Sequence, residues 1–116
     1  MLDTSPLTAV VERFADRLRA APQSRLQQGA AAAALELARE LSVRAQRIER
    51  PGQEPREVPD AGIFVVGDQV AVTGRDLAEA LRVAAAAGAP DSAKAPSEVL
   101  DEAVRLVEQA EVRAMR

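Results

Sequence analysis

Residues 63–72 read Ile-Phe-Val-Val-Gly-Asp-Gln-Val-Ala-Val, and this stretch decides the fold that the sequence predicts. Two apolar runs rich in β-branched residues flank Gly67-Asp68, and a glycine at the first central position suits a type II′ hairpin turn. The sequence therefore predicts a β-hairpin at about 63–72, within a segment that covers 62–73. Both faces of the runs are apolar, and an isolated hairpin is marginal in water. We therefore expect the hairpin to lie on helices or to pair with a second hairpin.

Upstream of this stretch, residues 5–50 have the pattern of a long antiparallel helical hairpin. The first helix begins with Ser5 as its N-cap. Its apolar residues recur at helical spacing, at Leu7, Val10, Val11, Phe14 and Leu18. The second helix covers about 24–50, with Gly29 as a weak position in its interior. The short Ala-Pro connection predicts that the two helices pack side by side.

The rest of the chain supplies a linker and two further helices. Residues 51–61 contain three prolines and are predicted to be extended and exposed. Helices then fill most of 74–116, and Thr73 is the predicted cap of the first of them. The sequence thus predicts one domain, 1–116, of the α+β class and mostly helical.

The apolar residues of the chain are numerous but small. Alanine accounts for 25 of the 116 residues, and only Phe14 and Phe64 are aromatic. Burying alanine removes little surface from water, whereas burying a leucine or phenylalanine is worth about 1.5–3 kcal/mol. A monomeric core would be thin, so we expect the chain to pack against a second copy as a homodimer. The predicted interface consists of Phe14, Leu37, Leu41, Ile63, Phe64, Val65, Val66, Val70 and Val72.

The charge balance argues against general binding of polyanions. The net charge is −3, with 15 basic and 18 acidic residues. A local basic face is still an alternative, since a nucleic acid would need several arginines on one helix. The candidate phosphate contacts are Arg39, Arg44, Arg47 and Arg50. Glutamates interleave with them at the spacing of intrahelical ion pairs, which favours a solvated, salt-paired face. Arginine outnumbers lysine 14 to 1, which with the alanine excess is typical of a high-GC bacterial genome.

The side chains available for chemistry are few. The chain contains no cysteine and no histidine, which removes thiolate chemistry and the commonest general base and metal ligand. The sequence therefore predicts no enzyme, no metal site and no cofactor. We interpret the acidic residues of the last helix as its solvated outer face; they are Glu98, Asp101, Glu102, Glu108 and Glu111. The absence of a signal peptide, of cysteine and of a long apolar span predicts a cytoplasmic protein with no membrane segment.

The pattern as a whole favours a non-catalytic protein–protein interaction or regulatory module that acts as a homodimer. Two alternatives stay open. One is a nucleic-acid-associated regulator that uses the arginine-bearing second helix, which predicts salt-dependent binding. The other is a protein that holds an apolar small ligand between the hairpin and the helices.

Overall fold

The structure, a computed structural model, describes residues 1–88 and 94–116 and is built from four helices. Helix accounts for 76% of it, and no strand occurs in the described residues, so the mostly helical character is confirmed and the α+β class is wrong. The helices are α1 (Ser5–Ala20), α2 (three consecutive parts, Gln23–Arg25, Leu26–Ala30 and Ala31–Glu49), α3 (Val66–Ala87) and α4 (Pro96–Ala114).

The predicted β-hairpin is not present, because its second half belongs to α3. The apolar residues Val66, Val70, Leu77 and Leu81 follow one another at helical spacing and are all buried. The run is apolar on two faces because this part of α3 lies between two other helices. Thr73, the predicted cap, lies inside the helix and donates its hydroxyl to the carbonyl of Gln69 at 2.7 Å.

Two glycines that look like turn residues in the sequence are contact points between α3 and α1. A Cβ at Gly74 would lie 2.6 Å and 2.7 Å from the two Cγ atoms of Val11. A Cβ at Gly67 would lie 3.0 Å from Cγ of Arg19 and 3.1 Å from the carbonyl oxygen of Ala15. These glycines lie two helical turns apart on the same face of α3, and they let the two helix backbones approach closely.

The predicted continuous helix over 24–50 is kinked at Gly29. This residue has φ +127°, a left-handed conformation that glycine adopts without steric cost. The helix widens to a π turn over Leu26–Ala30 and resumes at Ala31. Gly29 is therefore a conformational requirement of α2, and the kink redirects the helix before its long third part.

The predicted side-by-side packing of α1 and α2 is also wrong. Both helices pack extensively against α3 and against α4, and they make almost no direct contact with each other. Arg82 near the end of α3 donates to Oγ1 of Thr4 at 2.6 Å, so α3 and α1 are antiparallel. Arg44 of α2 pairs with Glu102 near the beginning of α4, and Glu36 of α2 lies 4.0 Å from Arg113 near the end of α4. The helices α2 and α4 are therefore antiparallel as well.

The helices α2 and α3 are parallel, so the end of α2 and the beginning of α3 lie at opposite ends of the bundle. The segment that connects them therefore runs back along the length of the bundle. We call residues 53–60 the strap. The side-chain amide of Gln46 makes two hydrogen bonds of 2.8 Å with the backbone N–H and C=O of Arg56. Arg39 donates to the carbonyl of Val58 at 2.8 Å, and Gln69 donates to that of Pro59 at 2.9 Å. Side chains of both helices therefore hold the strap in place.

A single apolar cluster joins all four helices within one chain. Phe14, Leu7, Leu41, Leu77 and Leu81 are its largest fully buried side chains. Alanines between them allow close helix packing, so the core closes despite its small residues. Among the described residues, no helix combines the length and apolar character needed to cross a membrane.

Candidate functional site

The structure separates the predicted interface residues into three groups. Five belong to the core of the single chain and have no surface to offer a partner; these are Phe14, Leu37, Leu41, Val66 and Val70. Ile63 and Val65 are half-buried. Phe64 and Val72 are exposed, at 71% and 52% of their full surface. The accessible part of the predicted interface therefore lies at the beginning of α3.

Phe64 is exposed because the start of α3 does not use it. It stands just before the N-cap residue Val65, where an apolar side chain often packs on the fourth residue of the helix. That fourth residue is Gln69, which is polar, and its side-chain amide donates a hydrogen bond to the carbonyl of Pro59 in the strap. Phe64 has no apolar partner there, so its ring is free for a contact outside the chain.

Phe64 lies at one end of the solvent-facing side of α3, and we call this surface, with Phe64 included, the outer face. Its members are exposed and include both apolar and charged residues; they are Phe64, Asp68, Val72, Arg75, Asp76, Glu79, Val83 and Ala86. Asp68 accepts hydrogen bonds of 2.9 Å and 2.7 Å from Arg19 of α1. Within the described parts of the chain, Arg75 and Asp76 form no ion pair. The midpoint of the outer face thus carries one free cation beside one free anion.

Two grooves flank the C-terminal half of α3. The first, of about 720 Å³, lies between α2, the strap and α3, and Asp76, Glu79 and Val83 of the outer face line one side of it. The second, of about 690 Å³, lies between the C-terminal halves of α2 and α3 and the beginning of α4. Ile48, Ala84 and Ala87 separate the two grooves.

The four arginines proposed for phosphate contact do not form one surface. Arg39 pairs with Glu57 and donates to the strap. Arg44 pairs with Glu40 and Glu102. Arg47 lines the second groove, whereas Arg50 lines the first. The structure therefore distributes these cations around α2 and engages two of them in internal contacts.

The interpretation of Glu111 as part of the solvated face of the last helix is wrong, because this residue is buried between α4 and α1. Its side chain is only 7% exposed, and it accepts hydrogen bonds from Arg13 at 2.8 Å and from Arg17 at 3.1 Å. Burial raises the pKa of Glu111, but the hydrogen bonds and charges of the two arginines outweigh it and lower the pKa below its ordinary value. The signal was its spacing, because Glu111 falls one turn after Val107 on the buried stripe of α4.

Acidic side chains line both grooves. In residues 1–88 and 94–116, no three acidic side chains lie together in a way that could hold a metal ion. Glu102 accepts hydrogen bonds from Lys94 and Arg44, and these partners hold the pKa of its carboxyl below the ordinary range despite partial burial. Glu40 and Glu102, the two carboxylates of the second groove, thus serve as partners of cations.

Comparison of the chain with protein-family models, with curated proteins and with solved structures found no match.

Proposed function

We propose that this chain is a non-catalytic protein–protein interaction module that acts as a homodimer through the outer face of α3. The observation that carries the proposal is the exposure of Phe64, one of only two aromatic residues, beside the exposed Val72. Burying a phenylalanine is worth about 1.5–3 kcal/mol, and aromatic side chains are enriched among the residues that dominate binding energy.

The charges of the outer face favour a second copy as the partner. A two-fold interface brings the same surface against itself, so a patch with one sign of charge would repel its mate. Here Arg19 neutralises Asp68, and Arg75 and Asp76 are opposite in sign. If two copies of α3 cross antiparallel with the axis between Arg75 and Asp76, each Arg75 faces Asp76 of the partner subunit.

The same arrangement accounts for the distribution of large and small residues. With the axis at that point, Phe64 lies opposite the last turn of the other α3, where Ala86 and Ala87 are exposed. A large ring against alanines is a complementary contact. The first groove begins beside Asp76 and Val83, so it can receive the edge of the second helix.

The mass of the protein in solution tests the dimer. Light scattering at micromolar concentration should give twice the chain mass of 12.3 kDa. Phe64→Ser and Val72→Asp should each shift the mass toward one chain, because the first removes the apolar contact with the alanines and the second places a carboxylate opposite Glu79 of the partner subunit. Val112→Asp is the matched control, since Val112 is 58% exposed on α4 and should leave the dimer intact. A wild-type mass of one chain would refute the proposal.

Charge exchange tests the antiparallel arrangement. Arg75→Asp and Asp76→Arg should each weaken the dimer about fivefold, because like charges then face each other across the axis. The double variant Arg75→Asp/Asp76→Arg restores opposite charges and should recover most of the affinity. Equal weakening by the two single variants and the double variant would exclude this register.

A further inference from the structure

A second surface has the chemistry of a small-molecule site. We propose that the second groove binds an amphipathic carboxylate, with its aliphatic chain between α2, α3 and α4 and its carboxylate at the cationic rim. The proposed dimer depends on Phe64 and Val72, and neither residue lines this groove. Ala87 borders both surfaces, but the observations that support the groove, its apolar wall and its cationic rim, are not those that support the dimer.

The walls of the groove suit an aliphatic chain. Ile48 of α2, Ala84 of α3, and Pro96 and Val99 of α4 line it, and the fully buried Leu81 lies behind them. Ile48 and Val99 are half-buried, so part of their surface still faces the groove. A volume of about 690 Å³ falls within the range of ordinary ligand sites. Small residues of α3 leave this space, because alanine does not reach across to α4.

The rim of the groove favours an anion over a cation. Three basic residues, Arg44, Arg47 and Lys94, face two acidic ones, Glu40 and Glu102. Lys94 donates to Glu102 at 2.7 Å, and Arg44 is shared between Glu40 at 2.9 Å and Glu102 at 3.4 Å. Both acids are thus engaged by cations that belong to the rim.

Arg47 supplies the positive charge that is left over. It forms no ion pair with any carboxylate in the described residues, and its position on the rim places it beside the apolar wall. An arginine guanidinium binds a carboxylate through two parallel N–H···O bonds. The juxtaposition of Arg47 with Ile48 and Val99 therefore matches a molecule with a carboxylate at one end and an alkyl chain at the other.

Decanoate is a suitable probe, used below the concentration at which it forms micelles. Methyl resonances of Val99 should shift saturably on titration, whereas those of Val58, which lines only the first groove, should not. Decanol, which has the same chain and no charge, should bind at least about tenfold more weakly, because it lacks the charge-assisted bonds. Saturable shifts at Val58 in place of Val99, or no saturable shift at all, would overturn the proposal.

Two matched arginine variants test the rim. Arg47→Ala should weaken decanoate binding about tenfold, and Arg50→Ala, on the other side of the same helix end, should leave it unchanged. Both residues are exposed, so neither variant should alter the fold. Equal affinities of the two variants for decanoate would show that Arg47 does not hold the carboxylate, and would refute the site as proposed. The mass of the protein should be the same with and without decanoate, which separates this site from the dimer.

Discussion

The Gly74→Ala variant should lower the free energy of unfolding by about 2 kcal/mol and the melting temperature by about 5–10 °C. A methyl group at this position would lie 2.6 Å and 2.7 Å from the Cγ atoms of Val11, which is itself buried. Val11 is β-branched and cannot turn aside easily, so α1 and α3 must separate. Alanine is the better helix former by about 1 kcal/mol, and the steric cost exceeds this gain.

The partner residue and a distant glycine provide the controls for this variant. In Gly74→Ala/Val11→Ala the new methyl group occupies space that Val11 has vacated. The loss in free energy of unfolding should therefore be about 1 kcal/mol smaller for the double variant than the sum of the losses for the two single variants. A Cβ at Gly52 meets nothing within 4 Å, so Gly52→Ala should change stability by less than about 0.5 kcal/mol. Additive effects of the two core substitutions, measured by chemical denaturation, would contradict the close contact.

The Glu111→Gln variant should lose about 2 kcal/mol of stability at neutral pH, because it removes the negative charge and replaces one of the two acceptor oxygens with an NH2 group, which cannot accept a hydrogen bond from an arginine. Arg13 and Arg17 are each about half exposed and regain water when the carboxylate is removed, which limits the loss. Glu108→Gln is the matched control, since Glu108 is exposed on the same helix. Its effect should be below about 0.5 kcal/mol. If Glu111→Gln left the free energy of unfolding unchanged, the ion pairs of Glu111 would not stabilise the contact between α1 and α4.

The contribution of Glu111 should also depend on pH in one direction. Its pKa is lowered in the folded protein, so its stabilisation is complete above the pKa of the unfolded chain, near ~4.3. The stabilisation is lost as the pH falls through the lower, folded pKa. The difference in melting temperature between wild type and Glu111→Gln should therefore be constant from pH 7 to about pH 5 and should shrink in stronger acid. A difference that grows on acidification would contradict this assignment.

The sequence predicted the helical segments where apolar spacing and punctuation agreed. The stripe of α1 from Leu7 to Leu18 is buried as expected, and α3 ends at Ala87 before Gly88. At 63–72 the local composition and the spacing of the apolar residues conflicted. Local composition favoured strands, whereas the spacing of Val66, Val70 and Leu77 favoured a helix. The helix prevails because α1 and α2 cover the faces that carry Val66, Val70 and Leu77. Tertiary packing decides this, and a local pattern does not show it.

The candidate site was predictable only in part, for a related reason. Phe64 and Val72 were expected to be available to a partner and are exposed, but five other interface residues are in the core. Which apolar residues remain outside depends on the helix order around the bundle, and no local pattern specifies it. The second groove likewise combines residues from three helices, and its cations come from positions 44, 47 and 94.

The order of the helices has a consequence for how the chain holds together. Its first half, α1 and α2, and its second half, α3 and α4, are interleaved, since the helices of the first half barely touch and both pack on the second. Neither half can bury its own apolar stripes alone, so native structure depends on contacts distant in sequence. A proteolytic nick in the strap would break the only covalent link between the halves without removing a core contact. We expect the nicked protein to remain folded as a complex of the two fragments, because each fragment buries its apolar residues against the other.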